Sequence, residues 1–265
     1  MRPIGELGTS EVDGLSLRAD PARDACFTIA RSDAQMDNFP PEDPRALREM
    51  LHRHMTNEIT SLDIAAACVA EFPEADWGVR LELARQCWDE TRHVQALARR
   101  LREVGGRKGD HPITVFEWNV TCTIDNLPGR LASQNRTLEA GAMDVVGRLV
   151  RGMRSMGDDL TAEILDGILA DEVQHVRFAN RWIRSLAATD KRVLLQVAMA
   201  VRLLAQANTL HHRAGGAPES IPSDYAPAVN VEDRRRAEFS DDEIQEILRQ
   251  AGFRTLLPVA EAVNP

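Results

Sequence analysis

Two copies of one short motif, Glu-x-x-His, constrain the fold of this chain more than any other feature. They are Glu90-Thr-Arg-His93 and Glu172-Val-Gln-His175. On an α-helix, residues three apart lie on the same face about one turn apart, so each motif presents a carboxylate and an imidazole together. The two motifs therefore predict two helices whose inward faces carry the same pair of metal-binding groups.

A glutamate precedes each motif at nearly the same distance. Glu58 stands 32 residues before Glu90, and Glu139 stands 33 residues before Glu172. That distance fits a glutamate in the preceding, antiparallel helix of a hairpin. The sequence thus contains the same unit twice, a helix with a glutamate followed by a helix with Glu-x-x-His.

An aspartate also precedes each motif, as Asp89 and Asp171. A histidine that binds a metal donates its other ring N–H to a carboxylate, which fixes its tautomer and orientation, so these aspartates could support the histidines. The alternative is that each is a solvated helix residue. One Glu-x-x-His match is uninformative, but two with matching aspartates and upstream glutamates arise by chance on the order of once in ten thousand such chains.

Four helices arranged in this way would bring four carboxylates and two imidazoles into a bundle interior, which is the ligand set of a carboxylate-bridged di-iron or di-manganese centre. Four buried carboxylates without compensating charge would be very costly, whereas two divalent cations would neutralise them. The predicted metal ligands are Glu58, Glu90, His93, Glu139, Glu172 and His175.

Two nearby residues leave the ligand set open. Asp63 lies five residues beyond Glu58 and could replace it, although its separation of 27 residues from Glu90 suits the hairpin less well. His54 lies one turn before Glu58 and could face the same interior, or it could be a solvated or hydrogen-bonded helix histidine.

Apolar spacing predicts an all-α chain with helices at about 45–71, 76–104, 113–141, 158–186 and 189–207, and a short last helix after a capping box at 240–243. Almost no strand signal is present. Pro128 and Gly129 should kink or interrupt the third helix about three turns before Glu139. We expect an extended arm at 1–45, a four-helix bundle at 46–186, and C-terminal helices at 187–265 with an irregular covering segment over 208–239.

Composition indicates the cellular compartment of the protein and the kinds of partner that it is expected to bind. The formal net charge is -9, which disfavours binding to nucleic acid, with the run Arg234–Arg236 as the nearest exception. The four cysteines show no CxxC spacing, and neither a signal peptide nor an uninterrupted apolar span is evident. We therefore expect reduced thiols in a soluble, cytoplasmic protein that does not bind membranes.

The pattern resembles the ferritin-like superfamily, which includes rubrerythrins, bacterial multicomponent monooxygenases and the ribonucleotide reductase small subunit. Over roughly residues 45–250 it looks most like a bacterial ferritin-like family of unknown function. That resemblance rests on the stretches HRHMTNEITSLDIAAACVAEFPEADW, CWDETRHVQALARRLREVGG, ILDGILADEVQHVRFANRW and RRRAEFSDDEIQEI.

The resemblance implies that Glu90 and Glu172 bridge or chelate two metals, with the histidines as terminal ligands and Asp89 and Asp171 outside them. The fold alone does not choose between oxidation of an organic substrate and mineralisation of iron. Because about 45 residues before the bundle and about 80 after it are better suited to walling a substrate pocket, we expect an oxidase or oxygenase that holds two iron ions, or manganese in place of one or both, and acts on dioxygen and a small molecule. The only tyrosine, Tyr225, falls in the irregular segment, which disfavours a radical role.

Three alternatives remain open at this stage: a ferroxidase or peroxidase, a tRNA-base hydroxylase, and a non-catalytic interaction module stabilised by metal. An electron-donor protein and a homodimer are further expected partners.

Overall fold

The fold is all-α, as predicted, and is built on two antiparallel helical hairpins. The computed structural model describes residues 8–12, 14–214 and 229–251. In the first hairpin α1 (Pro44–Glu71) packs along α2 (Trp77–Glu103), and in the second α5 (Ala140–Ser155) packs along α6 (Asp159–Thr189). The hairpins meet where α2 contacts α6. Together they form a four-helix bundle.

The third predicted helix has different bounds from those expected. A short α3 (Phe116–Thr121) ends well before Pro128, and α4 (Leu127–Ser133) then continues through a π-helical segment, Gln134–Glu139, into α5. Pro128 therefore lies in the first turn of a helix, where its missing N–H costs nothing. Asn126 caps that turn by accepting a hydrogen bond from the backbone N–H of Gly129. The predicted interruption is confirmed, since residues 122–126 separate α3 from α4, but Pro128 begins the following helix and produces no kink.

The N-terminal arm contains a small β-hairpin that the sequence interpretation missed. Strand β1 (Thr9–Val12) pairs antiparallel with β2 (Leu15–Arg18), and Gly14 adopts a φ of 83° in the turn. That conformation favours glycine. Arg18 ties the hairpin to the bundle, because its guanidinium lies 2.6 Å from a carboxylate oxygen of Glu71.

Beyond the bundle, α7 (Arg192–Ala214) is longer than the predicted helix, and α8 (Val231–Arg236) falls in the segment expected to be irregular. The predicted capping box is present at the start of α9 (Asp241–Gln250). Residues 215–228, which include Tyr225, lie outside the described part of the chain. Among the described helices, the Arg192–His211 stretch of α7 alone is long and apolar enough to cross a membrane, which is weak evidence by itself.

Two apolar clusters fill the bundle and leave a polar layer between them. On α1, Leu51 and Met55 belong to one cluster, and Ile64 and Cys68 to the other. Glu58 lies between these pairs, buried. The same alternation on α2 and α6 brings both Glu-x-x-His motifs to one level of the bundle. The division into three parts at residues 45 and 186 stays a prediction.

Candidate metal centre

The structure brings the six predicted ligand residues together in the polar layer. All six are buried, with relative exposures of 5% or less. Their side chains form two groups, and within each group one possible ligand atom from every residue lies within 4.8 Å of the others. The first group is Glu58, Glu90, His93 and Glu172, and the second is Glu90, Glu139, Glu172 and His175.

Glu90 and Glu172 belong to both groups, so the two candidate sites share an edge. Oε2 of Glu90 lies 3.0 Å from Nδ1 of His93, and Oε1 of Glu90 lies 3.5 Å from Nδ1 of His175. Glu172 likewise places one oxygen 3.8 Å from Nδ1 of His93 and the other 3.5 Å from Nδ1 of His175. Each of these carboxylates could therefore bridge two ions.

The two aspartates contact the histidines crosswise. Nε2 of His93 lies 3.1 Å from Oδ2 of Asp171, and Nε2 of His175 lies 3.3 Å from Oδ2 of Asp89. Each aspartate therefore accepts from the histidine of the other motif. This contact leaves Nδ1 of each imidazole facing the carboxylate cluster, as a metal ligand would.

Arg92 joins the two aspartates. Its Nη2 donates to Oδ1 of Asp89 at 2.5 Å and to Oδ2 of Asp171 at 2.8 Å. Arg92 is the residue before His93, so α2 supplies both the ligand and the cation that links the supporting carboxylates. This network closes the α2 and α6 side of the polar layer.

The charges in the layer are poorly balanced without cations. Burial, together with the charges of Glu172 and Glu58, raises the pKa of Glu90 well above its usual value. Burial and the charge of Glu172 raise the pKa of Glu139 to about 8. Burial acts to lower the pKa of His93, but hydrogen bonds with Glu58 and Glu90 raise it to about 11. Protons thus occupy the layer where divalent cations would otherwise neutralise it.

Two buried side-chain atoms in the layer lack a hydrogen-bond partner and are suited to binding a metal ion. Oε2 of Glu172 and Nδ1 of His175 are buried and make no hydrogen bond in the described chain. Buried polar atoms are nearly always satisfied, so two such atoms one turn apart on α6 call for an explanation. Carboxylate oxygens and imidazole nitrogens suit iron and manganese. The residues present therefore fit a two-metal centre.

Polar residues one helical turn before three of the glutamates hold their carboxylates. Nε2 of His54 lies 2.8 Å from Oε1 of Glu58. The amide of Gln86 donates to Glu90 at 3.2 Å and also to Glu139 at 2.5 Å. Asn135 donates to the other oxygen of Glu139 at 2.8 Å.

The sequence interpretation missed Gln86 and Asn135. Their spacing of four residues before a predicted ligand was the available signal, because residues four apart on a helix are neighbours.

A cavity of about 360 Å³ opens onto the centre from the side of α1 and α5. Glu58, Glu139 and Glu172 line its inner end, and Glu117 of α3 joins them there. Burial and the charges of Glu58 and Glu172 raise the pKa of Glu117 to about 7, and Gln134 hydrogen-bonds it. Nothing local in the sequence marked Glu117, because α3 precedes the helix of Glu139 and carries no motif.

Comparison with known proteins covers nearly the whole described chain. Residues 7–245 match the family described as protein of unknown function (DUF455). The chain belongs to the DUF455 family. The match begins at residue 7 and so takes in the N-terminal hairpin as well as the bundle, whereas the sequence resemblance was placed at about residue 45 onward.

Two other comparisons add no functional argument for this DUF455 protein. A search of curated proteins found no match. Among solved structures it is similar to "Protein 19 with aldehyde deformylating oxidase activity from Synechococcus", at 19% identity and a TM-score of 0.48, over 78% of this chain and 91% of that one. Similarity at this level carries no inference about activity.

The two open alternatives for the ligand set have distinct positions in the DUF455 chain. Asp63 lies outside both groups and pairs with Arg23 at 2.6 Å. His54 lines the cavity and contacts Glu58, but it too lies outside both groups. Asp63 therefore does not replace Glu58, and His54 faces the interior as a hydrogen-bonding partner of Glu58.

Proposed function

We propose that this protein is a non-haem di-iron oxidase or oxygenase, or its manganese–iron equivalent, that uses dioxygen to oxidise or hydroxylate a small organic substrate. The observation that carries the proposal is the cavity, because it reaches the buried carboxylate and histidine cluster and is large enough for an organic molecule. The six clustered residues would hold the two ions.

Bound there, a pair of redox-active ions would supply Lewis acidity and electrons for the reduction of dioxygen. The protein's own groups have separate roles. Gln86 and Asn135 fix the orientation of Glu139, and the crossed aspartate contacts fix both imidazoles. Glu117, with its pKa near 7, can hold or release a proton at the cavity wall.

The cavity walls favour an organic substrate over iron as the substrate of a ferroxidase. Leu138, Ala142, Val146 and Leu149 line the cavity beyond the glutamates. These apolar residues suit an organic substrate, whereas a path for hydrated ferrous ions needs only carboxylates and other polar groups, of which the cavity also has some, such as Glu49. An interaction module would need no such cavity at its metal centre.

The run Arg234–Arg236 does not support the alternative that the protein is a tRNA-base hydroxylase. Arg234 is buried and pairs with Asp144 at 2.6 Å, Arg235 lies 3.2 Å from Asp241, and Arg236 lies 3.1 Å from Asp233. These side chains are engaged within the protein rather than forming an unpaired basic surface.

The test is oxygen uptake by protein loaded anaerobically with two ferrous equivalents per chain, with a chemical reductant and a panel of organic compounds. The proposal expects uptake that depends on a compound and yields an oxidised product of it. The variant Glu172→Ala should abolish that uptake, whereas Glu163→Ala on the exposed face of α6 should not. Oxidation of many ferrous ions per chain with no organic product would favour the ferroxidase instead.

A further inference from the structure

The cavity at the candidate metal centre does not end at the edge of the bundle. A second cavity of about 660 Å³ adjoins it, and Met50, Val145 and Leu149 line both. The two cavities lie between α1 and α5, which belong to different hairpins. Together they form a groove, named here the α1/α5 groove, that runs from the carboxylate cluster to the surface.

The α1/α5 groove is long and follows the helices. Its wall on α5 extends from Glu139 at the centre to Met153 near the outer end. At 1.5 Å per residue, the 14 residues between these positions span about 21 Å. A compact substrate would occupy only the inner third of this length.

The chemistry of the wall changes along the groove. At the inner end, Asn57, Ser61 and Gln134 accompany the glutamates. In the middle and outer parts apolar residues predominate, although the Glu49–Arg53 ion pair of α1 also lines the inner cavity beside Met50, and charged residues such as Glu42 and Arg148 lie at the outer rim. The apolar residues there are Phe39, Leu47, Met50, Val145, Leu149 and Met153.

Val145 is notable among them because it is 45% exposed although it lies in the middle of the groove. Flexible methionines suit the packing of an adaptable apolar chain.

We propose that the substrate is a small amphipathic molecule whose linear apolar chain lies in the α1/α5 groove, with its polar, reacting end at the metal centre. This inference rests on the proposed function, because that function places the reacting end. An extended chain with one polar end fits the change from polar walls at the metal centre to more apolar walls farther out.

The test measures binding rather than turnover. Protein loaded with manganese, without reductant, is titrated calorimetrically with the straight-chain alcohols from butanol to decanol. Each methylene that enters the groove should strengthen binding by about fourfold. Val145→Trp should fill the middle of the groove, so that affinity stops rising at a shorter chain length. Leu81→Trp, at a 51% exposed position on α2, is the matched control and should behave as the wild type.

Several results would overturn the inference. One is affinity that does not depend on chain length, and another is a Val145→Trp variant that binds decanol like the control. A third is binding that appears only after residues 252–265 are removed, because the chain itself would then fill the groove.

Failure of the proposed function looks different. In that case the alcohols would show the chain-length dependence, but the protein would not take up two ions or consume oxygen. Conversely, the protein could bind two ions and oxidise a short polar compound while alcohol affinity does not depend on chain length. That result would refute only the proposal that the α1/α5 groove binds an apolar chain.

Discussion

Substitution of Glu172 should weaken metal binding more than substitution of a glutamate that belongs to only one of the two ligand groups. Its two oxygens face Nδ1 of His93 and Nδ1 of His175, so it would contact both ions. Glu58 belongs to the first group alone. We therefore expect Glu172→Ala to weaken both sites and Glu58→Ala to weaken one.

The size of the effect follows from mass action. An ion present at about a thousand times its dissociation constant stabilises the folded state by about 4 kcal/mol. In a protein of this size, each kcal/mol shifts Tm by about 2–4 °C, so each bound ion should raise Tm by roughly 10 °C. Two ions should raise the wild-type Tm by about twice that.

The assay is thermal unfolding with and without a chelator, combined with metal analysis. We expect Glu58→Ala to keep about half of the metal-dependent rise in Tm and Glu172→Ala to lose nearly all of it. Glu163→Ala, at an exposed position of the same helix, should match the wild type. Two ions per chain in Glu172→Ala would refute the assignment of Glu172 as a shared ligand.

Three further outcomes follow from the site and its supports. Asp171→Asn should weaken metal binding about 10- to 100-fold in a competitive chelator titration, because it removes the carboxylate that orients His93. In metal-free protein the folded state binds more protons than the unfolded state at about pH 6.5–8, because the pKa of His93 is raised to about 11 and that of Glu139 to about 8. The free energy of unfolding in urea should therefore fall as pH rises through this window. Gly109→Ala should destabilise the fold by about 1–3 kcal/mol, because φ is 87° there and a Cβ would lie 2.5 Å from the carbonyl oxygen of Cys26.

Each of these three predictions would be contradicted by a different result. Unchanged affinity in Asp171→Asn, relative to the exposed Asp166→Asn, would mean that the crossed contacts do not support the metals. Stability of the chelated protein that increases over the same pH window would contradict the proton balance. A Gly109→Ala variant that unfolds at the wild-type urea concentration would show that the loop adjusts without strain.

The sequence was most informative about residues that share one face of a single helix, because helical spacing alone determines their positions. The Glu-x-x-His spacing, repeated with an upstream glutamate, identified all six clustered residues, because a helix places such residues on one face regardless of the rest of the fold. The crossed pairing of the aspartates could not be seen in this way. It depends on how α2 and α6 meet, which is a tertiary contact.

Local signals were incomplete at three places for identifiable reasons. Pro128 correctly predicted an interruption of the third helix, but only the cap supplied by Asn126 shows that this proline begins the next helix. The dipeptide Asp13-Gly14 is a known hairpin signal, but the flanking strands are only four residues long. Glu117 reaches the centre from a separate short helix, so no spacing rule could have linked it to the motifs.

Metal content is the most direct test of the central claim that this polar layer is a two-metal centre. Protein would be loaded anaerobically with excess ferrous iron, freed of unbound metal by gel filtration, and analysed by inductively coupled plasma mass spectrometry. The account predicts two iron ions per chain. One ion or none, under conditions in which the protein is folded, would contradict it.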